Sequence, residues 1–344
     1  MLRTIHFPSG TTHYYSGSAP VHLREITQNR KVVFITDENL YRHYRSFFEQ
    51  QKLVVIPAGE EYKNWETAKK IVDELIAQEV DRTYLVIGVG GGMITDLTGF
   101  VSAIYMRGLD TAFFPTSLLS MVDAAVGGKN GVNIGLFKNL AGTIRQPEFI
   151  FYDARFLQTL SDAEWSNGFA EIIKYGCIFD KSILEELASH DISFYRNNSQ
   201  SLELLIDKCV SLKNKTVLED EHEKNIRKLL NFGHTTGHAI ENQYRLAHGH
   251  AVAIGMMIAC KLSQETMRLP ETATETVRTL LINYGLPASF HYQTKDVMQL
   301  LKADKKRSEA MIDFIVLTTL GKAQIRKTSF EEIEAVLSRF SENA

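Results

Sequence analysis

The sequence predicts an α/β protein of two domains: a mostly parallel sheet with helices on both faces, followed by a mainly α-helical domain. Up to residue 152, short β-branched runs alternate with amphipathic segments at helical spacing, which is typical of β-α-β units. Beyond residue 155 the strand pattern fades and helical segments follow one another, so the predicted domains are 1–155 and 156–344. A chain of 344 residues also exceeds the usual size of a single core.

In the first domain, the sequence predicts buried strands at 32–36, 53–56 and 83–88 and helices at 40–51, at 65–78 and from 93 onward. The third strand leads into Gly90, Gly91 and Gly92, and glycines there allow a phosphate to approach the N–H groups of a helix start. Because Thr95 stands where the dinucleotide fingerprint has its third glycine, a tight structural turn is an equally good interpretation. Asp37, an acidic residue suited to a ribose, ends the first of these strands.

Two further stretches of the first domain contain charged residues among glycines. Asp123, Lys129, Lys138 and Asn139 lie in or after a glycine-rich run, where lysine suits a phosphate and asparagine can orient its oxygens. The run GEEYK at 59–63 adds a charge pair. Each of these residues alone is equally typical of a solvated surface or a surface ion pair.

In the second domain, the sequence predicts helices at 161–173, 182–190, 201–218, 235–244, 252–268, 271–284 and 330–340, and a small hairpin at 314–325. Ser161 and Glu164 have capping-box spacing at the start of the first of these helices. Glu171 and Lys174 share a face of that helix, which is also the pattern of an ordinary i, i+3 ion pair. Their neighbours are apolar, and a partly buried carboxylate needs a partner that a metal ion could supply.

The run NFGHTTGH at 231–238, followed by HGH at 248–250, holds four of the eleven histidines. If the segment is helical, His234, His238 and Glu241 share one face at i, i+4 and i+7. Two histidines and one carboxylate are a common ligand set of catalytic zinc. One His-x-x-x-His alone favours a solvated helix start, but four histidines beside two glycines and Asn231 favour a metal site.

Composition excludes several classes of partner. The net charge is −3 and no basic block is present, so neither nucleic acid nor an anionic membrane is expected as a partner. The three cysteines are scattered, which predicts reduced thiols and a cytoplasmic protein. Residues 1–10 lack the apolar core of a signal peptide, and the apolar run 251–260 is too short to span a bilayer.

Taken together, these motifs closely resemble the 3-dehydroquinate synthase family of sugar-phosphate cyclases. The matching stretches are GEEYK (59–63), GGGMITDLTGF (90–100), PTSLLSMVDAAVGGK (115–129), KN (138–139), GFAEIIKYG (168–176), RKLLNFGHTTGHAIE (227–241), HGHAVAIGM (248–256) and DKK (304–306). They stand in the family's order and cover roughly residues 30–310.

The resemblance implies a homodimer with a Rossmann-like NAD-binding domain and an α-helical domain that carries a divalent metal, zinc or cobalt. The implied substrate is 3-deoxy-D-arabino-heptulosonate 7-phosphate, a phosphorylated sugar acid lying between the two halves, and the implied product is 3-dehydroquinate of the shikimate pathway. NAD would oxidise the C5 alcohol transiently, phosphate would leave, the hydride would return, and an aldol closure would complete the ring.

The resemblance also implies site residues. The metal ligands would be Glu171, His234 and His248, in place of the pairing of His234 with His238 that the spacing favours. The NAD contacts would be Asp37, Asn39, Glu60, Lys63, Gly91, Gly92, Asp96, Thr116, Ser117, Lys129, Lys138, Thr159, Leu160 and Glu164. The substrate contacts would be Asp123, Lys129, Asn139, Lys174, Lys213, Arg227, Asn231, His238, one of Lys305 or Lys306, and Arg107 from the partner subunit. Among them Lys129, Lys174, Asn231 and His238 would be catalytic.

The chain departs from the family at a few positions. Asn130 stands where threonine is common, residues 134–137 differ from the usual phosphate loop, and His250 stands where glutamate is usual. Three alternatives remain. A 2-deoxy-scyllo-inosose or valiolone-type synthase takes substrates without a carboxylate, and Arg227 and Asn231 argue against it. A metal-dependent polyol dehydrogenase would release NADH, and a non-catalytic NAD- or metal-sensing protein would have lost ligands that this chain retains.

Overall fold

The computed structural model describes residues 2–135, 137–304 and 311–342. Within these residues the chain forms two compact units. The first comprises the described residues up to Ser161 together with Lys213–His222, and the second comprises Asp162–Leu212 and the described residues from Glu223 onward. The predicted division between residues 155 and 156 lies short of this boundary, and the prediction placed residues 213–222 in the second domain.

The strands of the first unit are β1 (Leu2–Phe7), β2 (Gly10–Ser16), β3 (Lys31–Asp37), β4 (Lys52–Ile56), β5 (Tyr84–Gly90), β6 (Asp110–Pro115), β7 (Lys129–Ile134), β8 (Phe137–Ile144) and β9 (Phe149–Tyr152). Within the described residues, seven of them form one sheet in the order β1-β2-β9-β6-β5-β3-β4, and β7 pairs with β8 in a separate hairpin. β1 is antiparallel to β2, whereas the other neighbours in the large sheet are parallel.

The large sheet is covered on both faces, as a parallel sheet must be. Its helices are α1 (Ala19–Ile26), α2 (Glu38–His43), α3 (Trp65–Ala77) and α4 (Gly92–Ile104). Val86 of β5 belongs to an apolar cluster that includes residues of α3 and α4. Its neighbours Leu85 and Ile87 belong to a second cluster that includes residues of α1 and α2. This alternation has the two-residue period of a strand buried on both sides.

The predicted strands at 32–36, 53–56 and 83–88 are confirmed as β3, β4 and β5. The predicted helix at 40–51 is wrong in its length. α2 ends at His43 because Tyr44 leaves the helical region, with φ −125° and ψ 34°, and a 3-10 helix follows at Arg45–Phe48. Sequence analysis missed the β1–β2 hairpin and the β7–β8 hairpin, since glycines made the second of them resemble a loop.

The helices of the second unit are α5 (Asp162–Ile178), α6 (Lys181–Ala188), α7 (Ile192–Asn197), α8 (Ser199–Glu219), α9 (His234–Tyr244), α10 (His248–Met267), α11 (Glu271–Asn283), α12 (Thr294–Asp304) and α13 (Phe330–Glu342). A hairpin of β10 (Met311–Thr319) and β11 (Lys322–Ser329) completes it. α10 is buried along most of its length, because its residues 251–260 are an uninterrupted apolar run. No described helix is both long enough and apolar enough to cross a membrane.

The end of α8 and the residues after it belong to the first unit because buried polar groups bind them there. The Tyr14 hydroxyl donates a hydrogen bond to Asn214 Oδ1 at 2.7 Å. The Glu221 carboxylate accepts hydrogen bonds from the Ser9 hydroxyl at 2.5 Å and from Gln146 Nε2 at 2.8 Å. These partners are far apart in sequence, so a continuous helical pattern through α8 gives no indication of them.

Candidate active site

Three helices of the second unit bring Glu171, His234 and His248 together. Glu171 lies in the middle of α5, whereas His234 and His248 are the first residues of α9 and α10. Glu171 Oε1 is 3.4 Å from His234 Nε2 and 3.3 Å from His248 Nε2. One ligand atom from each residue lies within 4.8 Å of the other two. The structure therefore brings together the three residues that the family resemblance implied as ligands.

Glycines allow these helices to approach closely enough for the histidines to meet. A Cβ atom on Gly255 of α10 would lie 1.9 Å from the carbonyl oxygen of Gly233, which precedes α9. A Cβ atom on Gly249 would lie 2.6 Å from the Cα of Asn167 in α5. The backbones are thus in direct contact on both sides of the cluster, and neither position has room for a side chain.

Both imidazoles are oriented by an acceptor at Nδ1. His234 Nδ1 is 3.1 Å from the carbonyl oxygen of Phe232, and His248 Nδ1 is 3.4 Å from Glu241 Oε2. An acceptor at Nδ1 favours the tautomer with its proton there, which leaves the lone pair of Nε2 directed at the position of a metal. Two imidazole nitrogens and one carboxylate oxygen fit a divalent cation such as zinc.

The charges around Glu171 keep it ionised. Its second carboxylate oxygen forms an ion pair with Lys174, and both side chains are buried. Burial raises the pKa of Glu171, but the charges of Lys174 and His234 outweigh that effect and hold the pKa well below its usual value. The buried pair is therefore not the surface i, i+3 pair of the simpler interpretation.

The two histidines of the cluster differ in their affinity for protons. Burial and the nearby Lys174 lower the pKa of His234, which favours the neutral, ligand-competent imidazole. Burial also lowers the pKa of His248, but its hydrogen bonds to Glu171 and Glu241 raise it to about 9. At His248 a proton and a metal ion therefore compete, as is usual for metal-binding imidazoles.

His238 lies beside this cluster. Its ring centroid is 5.1 Å from that of His234 and 6.0 Å from that of His248. Together with Glu241 and His248 it forms a second group whose potential ligand atoms lie within 4.8 Å of one another. The spacing argument grouped His234 with His238 and Glu241, whereas the structure puts His238 and Glu241 in a different group from His234. Among the residues that the structure describes, His250 belongs to neither group.

Arg227 and Asn231, the residues implied for a substrate carboxylate, occupy the 3-10 helix Ile226–Asn231 of the second unit. Arg227 is only 2% exposed. Asn231 Nδ2 donates a hydrogen bond of 2.6 Å to Glu223 Oε1. Glu223 was not predicted as a site residue. Its position eight residues before Asn231 was the only sign of it in the sequence.

In the first unit, many of the implied NAD contacts lie after the carboxyl ends of neighbouring parallel strands. β4, β3, β5 and β6 are adjacent and parallel. The implied contacts that follow them are Glu60 and Lys63 after β4, Asp37 and Asn39 at the end of β3, Gly91 and Gly92 after β5, and Thr116 and Ser117 after β6. β4 lies on one side of β3 and β5 lies on the other, so the order in which strands are added to the sheet reverses at β3. Open α/β sheets bind their ligands at such a point.

The GEEYK and glycine-rich motifs meet in this region. The buried Lys63 forms an ion pair with Asp96 of α4, and its Nζ is also 3.8 Å from Glu60 Oε1. Burial raises the pKa of Asp96, and the charge of Lys63 opposes the rise. Asn133 Nδ2 donates a hydrogen bond of 3.1 Å to Glu60 Oε1, which connects the β7–β8 hairpin to the same network. The interpretation of Glu60 and Lys63 as an isolated surface pair is therefore wrong.

Lys213 and Asp123, both implied as substrate contacts, form an ion pair in the first unit. Lys213 Nζ is 2.8 Å from Asp123 Oδ1 and donates to the Asp123 carbonyl oxygen at 2.7 Å. The side chain of Lys213 is largely buried. Sequence analysis had assigned Lys213 to the second domain, and its neighbours in the structure place it in the first.

The other implied residues are distributed as follows. Lys129 is exposed at the start of β7, and Lys138 and Asn139 lie on β8. Arg107 is exposed, with φ 68°, in a 3-10 helix, and Thr159 and Leu160 follow β9 at the end of another. Glu164 Oε1 accepts a hydrogen bond from Asn167 within α5. Lys305 and Lys306 lie outside the described residues.

Asn130, a departure from the family pattern, closes the glycine loop before Lys129. Its Nδ2 donates to the carbonyl oxygens of Gly128 at 2.9 Å and Arg145 at 3.2 Å. A Cβ atom on Gly99 of α4 would lie 1.9 Å from Asn130 Oδ1. The asparagine therefore fills the space between the hairpin and α4 and leaves Lys129 next to it at the surface.

Comparisons with known proteins agree with this architecture. A family model described as 3-dehydroquinate synthase N-terminal matches residues 53–167, and one described as 3-dehydroquinate synthase C-terminal matches residues 168–307. The 3-dehydroquinate synthase of Thermoanaerobacter pseudethanolicus is 39% identical over 328 residues, which cover 92% of this chain and 92% of that protein.

Two solved synthases share the fold. The 2-epi-5-epi-valiolone synthase ValA of Streptomyces hygroscopicus subsp. jinggangensis 5008, with NAD+ and Zn2+ bound, matches with a TM-score of 0.88 at 25% identity, covering 100% of this chain and 99% of that one. A 2-deoxy-scyllo-inosose synthase complexed with carbaglucose-6-phosphate, NAD+ and Co2+ matches with a TM-score of 0.87 at 23% identity, covering 99% and 100%.

The parallel-sheet unit and the helical unit with its histidine–carboxylate cluster define a class of two-unit α/β proteins whose fold these two synthases share. Within that class, the family models cover most of the chain, and the relative named above matches nearly all of it. The chain belongs to the 3-dehydroquinate synthase family. The predicted fold class, family and assignment as an enzyme are thus confirmed.

Proposed function

We propose that the chain converts 3-deoxy-D-arabino-heptulosonate 7-phosphate to 3-dehydroquinate and phosphate, as a 3-dehydroquinate synthase of the shikimate pathway. The observation that carries the proposal is the convergence of Glu171 Oε1 with the Nε2 atoms of His234 and His248, at 3.4 and 3.3 Å. Membership of the family supports the choice of reaction. We propose Zn2+ or Co2+ as the cation and NAD as the second cofactor, the ligands with which the two similar synthases were solved.

In this proposal, Glu171, His234 and His248 would hold the cation, and Lys174 pairs with the other oxygen of the Glu171 carboxylate. When bound, the cation polarises a substrate alcohol and NAD provides a reversible hydride acceptor. The remaining work of the protein is to bind, orient and move protons. His238, whose ring lies 5.1 Å from that of His234, is suited to a proton transfer near the cation.

The proposed NAD site is the carboxyl edge of the sheet in the first unit. The start of α4 at Gly92 would receive the pyrophosphate, because backbone N–H groups and the helix dipole favour anions there. Asp37 is suited to the ribose, although its Oδ1 already accepts a hydrogen bond from the Leu40 N–H at 2.9 Å. Glu60, Lys63, Asp96, Thr116 and Ser117 lie after the neighbouring strands or on α4.

The proposed substrate contacts fall into two sets, one for the carboxylate of the substrate and one for its phosphate. Arg227 and Asn231 suit the carboxylate, since a guanidinium fork pairs with two oxygens at once. Lys129, Asn139 and Lys213 suit the phosphate, and Lys138 remains a proposed NAD contact. Asp123, which binds Lys213, fixes the direction of that ammonium group. Lys129, Lys174, Asn231 and His238 remain the proposed catalytic groups, and one of Lys305 or Lys306 remains a proposed contact.

We also propose that the protein acts as a homodimer in the cytoplasm, with Arg107 reaching the phosphate of the partner's substrate. The exposed position of Arg107 and the exposed apolar side chains of Ile104 and Met106 beside it support an interface at this segment. The net charge of −3 gives no basis for nucleic acid or an anionic membrane as a partner. Light scattering of the purified protein tests the dimer.

A phosphate-release assay tests the reaction. Purified protein with the heptulosonate phosphate, a catalytic amount of NAD and zinc should release phosphate without net accumulation of NADH. A chelator should stop the reaction, and added Zn2+ or Co2+ should restore it. Stoichiometric NADH would identify a polyol dehydrogenase instead, and faster turnover of a sugar phosphate without a carboxylate would identify a related cyclase. Full activity after exhaustive chelation would contradict the proposed metal site.

A further inference from the structure

We propose that Glu241 is a positioning residue that holds His248 in the orientation and tautomer required for the cation. The inference rests on the proposed function in one respect, since it takes the cation to lie among Glu171, His234 and His248. Glu241 is not one of those three ligands. Its proposed effect on the cation passes through the imidazole of His248.

Glu241 is a buried carboxylate, and a carboxylate is rarely buried without a partner or a function. It lies in the last part of α9 and is only 6% exposed. Removing a carboxylate from water costs several kcal/mol unless a partner compensates. Its Oε2 is 3.4 Å from His248 Nδ1, at the start of the next helix. The buried charge is thus directed at the ring of a proposed ligand.

The ring of His248 lies between two carboxylates. Its Nε2 is 3.3 Å from Glu171 Oε1, and its Nδ1 is 3.4 Å from Glu241 Oε2. A neutral imidazole has a single N–H group, so only one of its nitrogens can donate. A carboxylate at Nδ1 favours the proton there, which leaves the lone pair of Nε2 for a metal and also makes it more basic.

His234 receives the same support from the backbone. Its Nδ1 is 3.1 Å from the carbonyl oxygen of Phe232, a partner that no side-chain substitution removes. The two imidazoles thus have equivalent orientations but different supports. Only the support of His248 can be removed by substitution, and this asymmetry makes the role of Glu241 testable.

A competing arrangement uses Glu241 as a direct ligand, with His238 and His248, because these three also form a compact group. The first group is favoured for two reasons. A single oxygen of Glu171 lies at similar distances from two Nε2 atoms, 3.4 and 3.3 Å. In this group each imidazole Nδ1 also has an acceptor, at 3.1 and 3.4 Å, so both Nε2 lone pairs are directed towards that oxygen.

The experiment measures Co2+ affinity by chelator competition, on the full chain without NAD or substrate. Glu241→Ala should weaken Co2+ binding by about 10- to 100-fold, the usual effect of removing such a partner. Glu241→Gln, which retains an acceptor oxygen but not the charge, should lose less. The visible spectrum of bound Co2+ should shift in Glu241→Ala, since the ring of one ligand is no longer fixed.

A matched control is the exposed pair of His22 and Glu25, in which Nδ1 and Oε2 are 3.8 Å apart. Glu25→Gln removes the charge from the same kind of pair in the first unit, and it should change neither Co2+ affinity nor the spectrum. His234→Ala should abolish tight Co2+ binding. His238→Ala should leave the affinity unchanged, because His238 is not a ligand in the favoured group.

The outcomes separate the inference from the proposed function. Wild-type affinity and spectrum in both Glu241 variants, together with loss of binding in His234→Ala, would overturn the inference and leave the proposed metal site intact. Weak binding in both His238→Ala and Glu241→Ala, with normal binding in His234→Ala, would place the cation in the competing group. Normal binding in both His234→Ala and Glu171→Gln would overturn the proposed metal site itself. If Glu241→Ala does not fold, Glu241→Gln decides the inference.

Discussion

The histidine cluster of the second unit and the sheet edge of the first unit are built in opposite ways. The cluster comes from three helices whose backbones touch at Gly249 and Gly255, and each of its groups is fixed by a neighbour. The sheet edge is a row of loops after parallel strands, each of which contributes one or two groups. Close-packed helices cannot shift to accommodate a substitution, whereas a surface loop can.

Because of this difference, substitutions should have their largest effects in the cluster. In the cluster, one missing group affects the others, because Glu171 faces both histidines and Lys174 at once. At the sheet edge, Lys63 joins Glu60 and Asp96 in one network, but the other groups come from separate loops, so a substitution outside that network should affect one contact. The activity lost on substitution should therefore be larger in the cluster than at the sheet edge.

The largest effect is expected for His234→Ala. It removes a proposed ligand nitrogen and should lower the rate of phosphate release by more than about 100-fold, beyond the loss typical of an indirect partner. The measurement is phosphate release with added zinc, together with the cation content of the purified variant. His250→Ala is the control and should stay close to wild type. An equal loss in His250→Ala would extend the cluster to a fourth histidine.

Arg227→Lys should have the next largest effect. The substitution keeps the buried charge but loses the planar fork, and a hydrogen bond to a charged group contributes about 1.5–3 kcal/mol. The KM of the carboxylate-bearing substrate should therefore rise by roughly 10- to 100-fold. Steady-state kinetics check this expectation, and NAD affinity serves as the internal control. An unchanged KM would remove Arg227 from the proposed carboxylate site.

Asn130→Asp tests the first unit. It places an oxygen where Nδ2 donates to the carbonyl oxygens of Gly128 and Arg145, so the unfolding free energy should fall by about 1–3 kcal/mol. The KM of the phosphorylated substrate should rise as the loop before Lys129 loosens. Chemical denaturation and kinetics measure the two effects.

A suitable control for Asn130→Asp is Thr98→Val, a nearly isosteric change at a buried hydroxyl of α4. Thr98→Val should change both the unfolding free energy and the KM of the phosphorylated substrate less than Asn130→Asp does. If Asn130→Asp loses stability but its KM is unchanged, Asn130 stabilises the fold and has no effect on substrate binding. A loss of activity as large as that of His234→Ala would contradict the contrast between the two regions.

The smallest effect is expected from the pH dependence of Asp153, which follows β9. Its carboxylate accepts hydrogen bonds from the N–H groups of Ala19 at 3.0 Å and Arg155 at 3.1 Å. Burial raises the pKa of Asp153, but these bonds and the Arg155 side chain outweigh it, so the pKa in the folded protein is below its usual value. The resulting stabilisation is complete above the unfolded-state pKa of about 3.9 and is lost as the pH falls through the folded-state pKa.

The difference in thermal midpoint between wild type and Asp153→Asn should therefore be constant near neutral pH and should shrink as the pH falls below the unfolded-state pKa of about 3.9. Scanning calorimetry across this pH range measures it. Asp81→Asn is a control at an exposed carboxylate. Its difference in thermal midpoint from wild type should be smaller at every pH. A difference for Asp153→Asn that grows as the pH falls would reverse the sign of this argument.

The sequence predicted the local features of this molecule well, for physical reasons. Runs such as 32–36 and 83–88 are strands because their side chains are apolar on both faces, and this pattern is visible in the sequence itself. The family motifs led to Glu171, His234 and His248, which are neighbours in the structure. Spacing alone instead paired His234 with His238, because periodicity within one helix carries no information about a second helix.

The features that sequence analysis missed depend on contacts between distant segments. Lys213 pairs with Asp123, and Asn214 binds Tyr14, but helical periodicity continues through both residues of α8 without a break. The hairpin of β7 and β8 contains glycines where the two strands approach closely, so its composition resembles that of a loop. The role of Glu241 also depends on a neighbour that only the folded chain provides.

The return of residues 213–222 to the first unit has a practical consequence. A fragment that ends at residue 161 would contain every strand of the large sheet but would leave Tyr14 without Asn214 and Ser9 without Glu221. It would also lack the lysine that binds Asp123. Expressing the N-terminal half as a fragment that ends at this boundary should therefore yield a unit that lacks residues 213–222. Both halves are best produced as one polypeptide.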